Sequence, residues 1–237
     1  MKKYTASLLS ITLLTATTFS TISCDSRIDE ESVGGKDLLS VSSATGQPNY
    51  MNIVSQILSD ENLNNMTQSD IDKYLLQMGH KSGDITVSQV QDIIEEIMSF
   101  KENHETGFSY DDVLNLYDTK MHPFITELLQ GKLIDDKFKS SEFIALSSSQ
   151  QEQLVFLNDF MSDYLDSISS NSTHYTTASY NNPHNPGTTN EIPCPSVGCT
   201  VAWTLIGAGI GSIGGPVGAG VGALVGFLVG AISKEAS

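Results

Sequence analysis

A glycine-rich apolar tail constrains the fold of this chain more than any other feature of its sequence. The 32 residues from Val201 to Ile232 carry no charge, and ten of them are glycine. Each glycine in a helix exposed to water costs about 1 kcal/mol relative to alanine. Because residues four apart share a helix face, a row of glycines forms a groove that admits the backbone of a second helix. There are two such rows: Gly214, Gly218, Gly222, Gly226 and Gly230, and the shorter Gly207, Gly211 and Gly215.

The tail is long enough to enter a membrane. Packing of small residues is a main force between helices in lipid, so we predict that residues 194–237 insert and self-associate. A single helix of this length would measure about 48 Å, against roughly 30 Å of hydrocarbon. Gly214-Gly215-Pro216 is a natural break, which favours a helical hairpin over one tilted span from about residue 210 to 232. Trp203 is predicted to anchor the segment at the membrane interface.

The start of the chain has the layout of a secretory signal. Lys2 and Lys3 precede an apolar run at residues 8–19, and the small residue Ser23 comes just before Cys24. These residues resemble a bacterial lipoprotein signal, although Thr21 stands where the usual pattern has leucine. The resemblance implies cleavage after residue 23 and a lipid on Cys24. The alternative is ordinary secretion, with Cys24 removed or paired.

The number of cysteines fits this prediction. An exported chain with three cysteines has one that a disulfide cannot use. If Cys24 carries lipid, Cys194 and Cys199 remain as a local pair, and the intervening Pro195 and Gly198 let so short a loop turn back. We therefore predict a disulfide between Cys194 and Cys199. We predict no metal site, because zinc needs about four ligands and no further cysteine is near.

The middle of the chain is strongly acidic. Between Asp25 and Asn171 there are 26 acidic and 9 basic residues. This charge argues against nucleic acid as a partner and against docking of this part on anionic lipid. Polar, glycine- and serine-rich sequence predicts a flexible tether at 24–47, and a Ser, Thr, Asn and Pro-rich stretch predicts a disordered linker at 171–193.

Residues 48–170 are predicted to form an acidic domain of helices. Capping-box patterns mark four helix starts, and apolar residues follow at helical spacing, as in Val90, Ile93 and Ile97. The four patterns are Thr67 with Asp70, Thr86 with Gln89, Ser109 with Asp112, and Ser149 with Glu152. No strand-like alternation competes with them. The fold class is therefore all-α, with a bundle of five to six helices and a C-terminal glycine-zipper helix or hairpin.

The sequence shows no constellation typical of an enzyme. The five histidines are scattered and have no local partner pattern for a nucleophile. Residues 82–90 resemble the second half of a calcium-binding EF-hand loop, but they lack the carboxylates that this ion requires. We therefore predict no catalytic residues, no cofactor and no metal.

The tail resembles two kinds of protein. It is similar to the glycine-zipper segments of bacterial envelope lipoproteins and to the two-cysteine, glycine-zipper cores of class II bacteriocins. The first resemblance, with the signal and the acidic domain, implies a lipid-anchored envelope protein at the outer membrane or cell surface rather than the inner membrane. That protein would insert its tail, form homo-oligomers through the zipper and expose the helical domain to a protein partner. The alternatives are a bacteriocin-like membrane-permeabilising protein and a soluble exported interaction protein whose tail packs against the domain.

Overall fold

The computed structural model describes residues 48–59, 66–104, 107–171, 192 and 197–235. The described part is helical and has no strands, so the predicted all-α class is confirmed. The predicted signal, the tether and most of the predicted linker lie outside these residues, as do Cys24 and Cys194. In chain order the helices are α1 (Tyr50–Ser59), α2 (Gln68–Gln77), α3 (Val87–Asn103), α4 (Tyr110–Leu114), α5 (His122–Leu129), α6 (Ser141–Ile144), α7 (Ser148–Asn171), α8 (Val197–Gly211) and α9 (Gly215–Glu235).

Local sequence signals set the starts of the helices. Complete capping boxes at Thr67, Thr86 and Ser109 begin α2, α3 and α4, as predicted. The prediction for α7 was wrong by two residues, because its cap is Ser147 rather than Ser149. The Ser147 hydroxyl accepts a hydrogen bond from the Gln150 backbone, and the Gln150 side chain accepts one from the Ser147 backbone.

The helices from α1 to α7 form a shell of amphipathic elements. α3 buries Val90, Ile93 and Ile97, the stripe that the sequence predicts. On α7 the buried stripe consists of Leu154, Leu157, Phe160, Met161 and Tyr164. α1 packs on α7 with its first turn tied down, since the Met51 backbone N–H donates to the Asp163 carboxylate at 2.8 Å.

The tail lies at the centre of this shell. α8 and α9 pack against each other and also contact α3 and α7, while α8 reaches α4 and α5 as well. Every residue of α8 from Cys199 to Gly211 is buried. The side chains of the tail and of residues 48–170 belong to one continuous hydrophobic core. The predicted boundary between domain and tail therefore does not separate two cores, because the apolar faces of both are buried against each other.

Ile192 is also part of this core, although the sequence places it in the disordered linker. It is 6 % exposed, and its backbone N–H donates to the Phe108 carbonyl at 3.0 Å. The chain is thus fastened to the domain five residues before α8 begins.

Candidate functional site

The candidate site is the helical hairpin formed by α8 and α9, which we call the glycine hairpin. Residues 197–231 comprise α8, a short 3-10 turn and most of α9, and together they are the one stretch in the described part that is long and apolar enough to cross a membrane. It qualifies by its length and its composition. The stretch does not run straight, because Gly215 has a φ of 72° and reverses the chain. Of the two predicted forms, the structure has the hairpin.

Glycines line the seam between the two helices. A Cβ added to Gly207 would lie 2.0 Å from the Gly222 carbonyl oxygen, and one added to Gly211 would lie 2.1 Å from that of Gly218. Gly226 faces the Trp203 carbonyl equally closely. No side chain fits at such distances, so the two backbones touch directly. The spacing of these glycines is therefore required by the antiparallel approach of α8 and α9.

The remaining predicted zipper positions differ from one another. Gly230 continues the seam, since a Cβ there would lie 2.9 Å from the Thr200 Cα. Gly214 is not a packing residue, because a Cβ there would have nothing within 4 Å. It lies in the 3-10 turn Ser212–Gly214 that joins the helices. Gly214 fits the four-residue spacing in the sequence, but it lies outside both α-helices and takes no part in the seam.

The seam is filled from within the same chain. Self-association through these glycines is not represented in a single chain, and it stays a prediction. In the described residues, the surface that it would use is occupied by the opposite helix of the hairpin.

Trp203 lies inside the domain in this folded form. It is 4 % exposed and its ring packs edge-on against Phe108 and Phe100, with centroids 5.2 and 6.0 Å away. The predicted interface anchor is thus shielded by aromatic side chains of the shell. A membrane role for Trp203 requires that the hairpin separate from them.

Cys199 is disulfide-bonded and 1 % exposed. Cys199 lies in the first turn of α8, at the end of the hairpin away from the connecting turn, which we call the open end. The pairing with Cys194 stays a prediction, since Cys194 lies outside the described residues.

Two hydroxyl groups of the hairpin donate hydrogen bonds to carbonyls of the hairpin itself. The Thr204 hydroxyl donates to the Thr200 carbonyl at 2.8 Å, one turn earlier. The Ser212 hydroxyl donates to the Gly209 carbonyl at 2.6 Å. A segment that enters lipid must satisfy its hydrogen bonds internally, and these two bonds do so without help from the shell.

Two polar side chains of the shell hold the hairpin from outside. The Tyr117 hydroxyl donates to the Leu205 carbonyl at 2.5 Å, and the Gln153 amide donates to the Ala208 carbonyl at 3.3 Å. Burial raises the pKa of Tyr117 far above its ordinary value. Both acceptors are backbone carbonyls of α8, so these two hydrogen bonds join the shell to α8. Sequence reasoning missed both residues, because a lone Tyr and a lone Gln in helical patterns carry no signal of their buried partners.

Two glycines outside the seam allow the shell to approach. A Cβ on Gly209 would lie 2.7 Å from the Leu116 Cβ, and one on Gly220 would lie 3.4 Å from the Phe156 ring. The hairpin thus has glycines on two surfaces. Those in the seam contact the backbone of the opposite helix, and those on the outer surface contact side chains of the shell.

His80 sits at the outer contact of α9. Its Nε2 lies 3.7 Å from where a Gly220 Cβ would be, and this nitrogen is buried without a hydrogen-bond partner among the described residues. Desolvation lowers the pKa of His80, while the carboxylates of Asp84 and Glu152 act in the opposite direction. Protonation of this histidine would place a charge against an apolar helix.

The hairpin and the shell differ sharply in charge. No Asp, Glu, Lys or Arg occurs between Glu191 and Lys234, whereas the shell carries most of the chain's carboxylates. The described residues contain no group of three or more His, Cys, Asp or Glu side chains placed to hold a metal ion. Apart from the bonds of Tyr117 and Gln153, the hairpin is therefore held by apolar contacts and by its backbone seam.

Comparisons with known proteins do not classify the chain. No protein-family model, curated protein or solved structure matches it. The structure itself defines the chain as an all-α acidic domain built around a helical hairpin that has a glycine seam and carries no charge from residue 197 to residue 233.

Proposed function

We propose that this protein is a non-enzymatic, exported lipoprotein of the bacterial cell envelope that stores a membrane-inserting hairpin inside its acidic helical domain. The observation that carries the proposal is that the glycine hairpin is complete in itself. Its seam is made by its own backbones, and its Thr204 and Ser212 hydroxyls bond to its own carbonyls. It can therefore move from the protein core to lipid without losing these internal contacts.

The size of the hairpin suits a bilayer. α8 has 15 residues and α9 has 21, which correspond to about 22 and 32 Å at 1.5 Å per residue. The hydrocarbon layer is roughly 30 Å thick. The outer face of the hairpin packs against apolar side chains of the shell. Phe227 of α9, for example, packs edge-on against Phe160 of α7, with ring centroids 5.6 Å apart. Lipid tails can replace such contacts at little cost, because they are as apolar as the side chains they substitute.

The acidic shell has a separate role in this proposal. Its negative charge keeps the exported domain soluble and disfavours anionic headgroups, so its partner would be a protein. Homo-oligomers would form after release, when a helix of one hairpin exchanges with that of a second copy and the same glycines line a seam between chains.

A second function is favoured by one observation. The hairpin is the centre of the core, and Trp203 and Leu205 are at most 4 % exposed. A soluble exported interaction protein, in which the hairpin never leaves the domain, would have the same structure. The two functions differ in whether the hairpin ever contacts lipid.

Fluorescence of the single tryptophan tests the proposal. The purified mature protein is mixed with phosphatidylcholine vesicles that carry brominated acyl chains, between about pH 7 and about pH 5, where histidine titrates. We expect quenching of Trp203, because bromine reaches only groups within the hydrocarbon. A dye-leakage assay on the same vesicles separates simple insertion from permeabilisation. Lipid-anchored protein whose Trp203 is never quenched would reject membrane insertion and support the soluble function.

A further inference from the structure

The turn of the glycine hairpin differs from the rest of the hairpin in its exposure. Ile213 is 84 % exposed, more than any other large hydrophobic residue in the described part of the chain. Gly214 and Gly215 beside it are open as well, since a Cβ on either would have nothing within 4 Å. The shell therefore covers both helices of the hairpin but leaves its turn uncovered.

The backbone of this turn is already prepared for an apolar environment. The Gly215 N–H donates to the Ser212 carbonyl, and the Ser212 hydroxyl donates to the Gly209 carbonyl. Pro216 has no backbone N–H that could remain unpaired. Unsatisfied donors are a main barrier to moving a turn into lipid, and these bonds remove several of them.

The charges of the tail lie at the opposite end. Lys234 and Glu235 are the last residues of α9, at the end of the hairpin away from the turn, and Glu191 precedes α8 in the sequence. A charged side chain is costly at the centre of a bilayer. A hairpin that entered open end first would carry these charges across, whereas one that enters by its turn leaves them on the side of entry.

We propose that the turn around Ile213 is the surface by which the protein first contacts a zwitterionic lipid bilayer, and that the hairpin enters turn first. This inference rests on the proposed function. The lipid type follows from the surroundings of the turn: Ile213 and Gly214 border a groove that is also lined by Asp92 and Glu96 of α3. These carboxylates repel an anionic surface but tolerate a net-neutral one.

Ile213→Asp tests the entry point. At the centre of a bilayer, aspartate in place of isoleucine costs about 3 kcal/mol on insertion scales, or roughly 100-fold, and the turn must pass this depth as the hairpin enters. The matched control is Ile144→Asp, because Ile144 is also exposed, at 65 %, but lies on α6 outside the hairpin. The full mature chain is used, with Trp203 quenching by brominated phosphatidylcholine as the readout. Far-UV circular dichroism and Trp203 emission in water verify that each variant is folded.

We expect Ile213→Asp to slow the quenching of Trp203 by at least about tenfold, Ile213→Leu to keep the wild-type rate, and Ile144→Asp to change the rate less than about twofold. Normal quenching of Ile213→Asp would overturn the turn-first entry while leaving the proposed function intact. Absence of quenching in the wild type would instead reject the proposed function, and this inference with it.

The lipid choice has its own test. Quenching should be weaker in vesicles that contain phosphatidylglycerol, and the double variant Asp92→Asn with Glu96→Gln should recover it. Equal quenching of the wild type in neutral and anionic vesicles would contradict the assignment to a zwitterionic surface.

Discussion

The glycine hairpin and the shell around it are held together by different kinds of contact. The shell helices bury an apolar stripe, and most of them begin at a side-chain cap, such as Thr86 on α3; α5 is an exception, with no side-chain cap. Their outer faces are polar and their stability depends on water on one side and a core on the other. In the hairpin, backbone meets backbone at Gly207 and Gly222. That contact can form whether water, protein or lipid surrounds the hairpin.

The difference shows which part of the molecule can change its surroundings. A shell helix moved into lipid would bury its carboxylates, whereas the hairpin has no charge to bury between Glu191 and Lys234. The hairpin exchanges only its outer contacts. The shell is therefore the part that must remain in water, and the hairpin is the part that can leave it.

The largest expected loss of stability distinguishes a glycine in the seam from a glycine in the turn. In Gly222→Ala the new Cβ would lie 2.0 Å from the Gly207 carbonyl oxygen, so the helices must move apart. We expect a loss of about 3 kcal/mol in the free energy of unfolding, although alanine is the better helix former by about 1 kcal/mol. Gly214→Ala is the matched control, with an expected change within about 0.5 kcal/mol. Urea denaturation followed by Trp203 emission measures both, and equal stability of the two variants would refute a seam made by close approach.

The disulfide at the open end should have the next largest effect. If Cys199 is bonded to Cys194, the closed loop is short and its removal by Cys199→Ser should cost about 2 kcal/mol. Alkylation before and after reduction identifies the partner, because both cysteines should react only after reduction. Peptide mapping that finds Cys194 alkylated in unreduced protein would disprove the pairing.

Removal of the Tyr117 hydroxyl tests whether its hydrogen bond holds α8 in the shell. Tyr117→Phe removes the hydrogen bond to the Leu205 carbonyl and should lower stability by about 1 kcal/mol. Tyr110→Phe on α4 serves as the control, because in the described part of the chain Tyr110 makes no bond to the hairpin. The Tyr117 variant should also release the hairpin more readily, which appears as faster Trp203 quenching by brominated lipid. Identical unfolding curves for the two variants would show that this bond does not hold the hairpin.

The smallest expected effect is on the pH dependence of stability, through His80 beside α9. The folded-state pKa of His80 is lowered, so the unfolded chain binds more protons and acid destabilises the fold as pH falls below about 6.5. His80→Leu should flatten the pH dependence of stability in this window. Glu152→Gln should enlarge this loss and extend it to lower pH, because removing the Glu152 charge lowers the folded-state pKa of His80 further and leaves the unfolded-state pKa, where the loss begins, unchanged. A slope that is unchanged in His80→Leu would assign the pH dependence to other groups.

Sequence reasoning was most successful where the cause is local. The caps at Thr67, Thr86 and Ser109 follow from hydroxyl and carboxyl or amide groups three residues apart, and the structure has all three. At α7 two serine patterns compete within a few residues, and the cap is Ser147 rather than Ser149. The glycine seam was also predictable, because a four-residue glycine row has few uses other than close helix packing.

The location of the hairpin could not be predicted in the same way. An uncharged helix pair looks alike whether lipid or protein surrounds it, so composition alone did not reveal that Trp203 packs between Phe100 and Phe108. The contacts of Tyr117 and Gln153 with α8 join residues far apart in the chain, and neither has a sequence signature. The exposure of Ile213 likewise depends on where the shell ends.

A reversible covalent staple between shell and hairpin tests most directly whether the hairpin leaves the domain. A Cβ on Gly209 would lie 2.7 Å from the Leu116 Cβ, and a small shift would bring a Leu116→Cys, Gly209→Cys pair to the separation of about 3.8 Å typical of a disulfide. With the staple oxidised, Trp203 should stay unquenched by brominated lipid, and reduction should restore quenching to the level of reduced wild type. Full quenching while the staple is intact would contradict the account, because the hairpin would then reach lipid without separating from the shell.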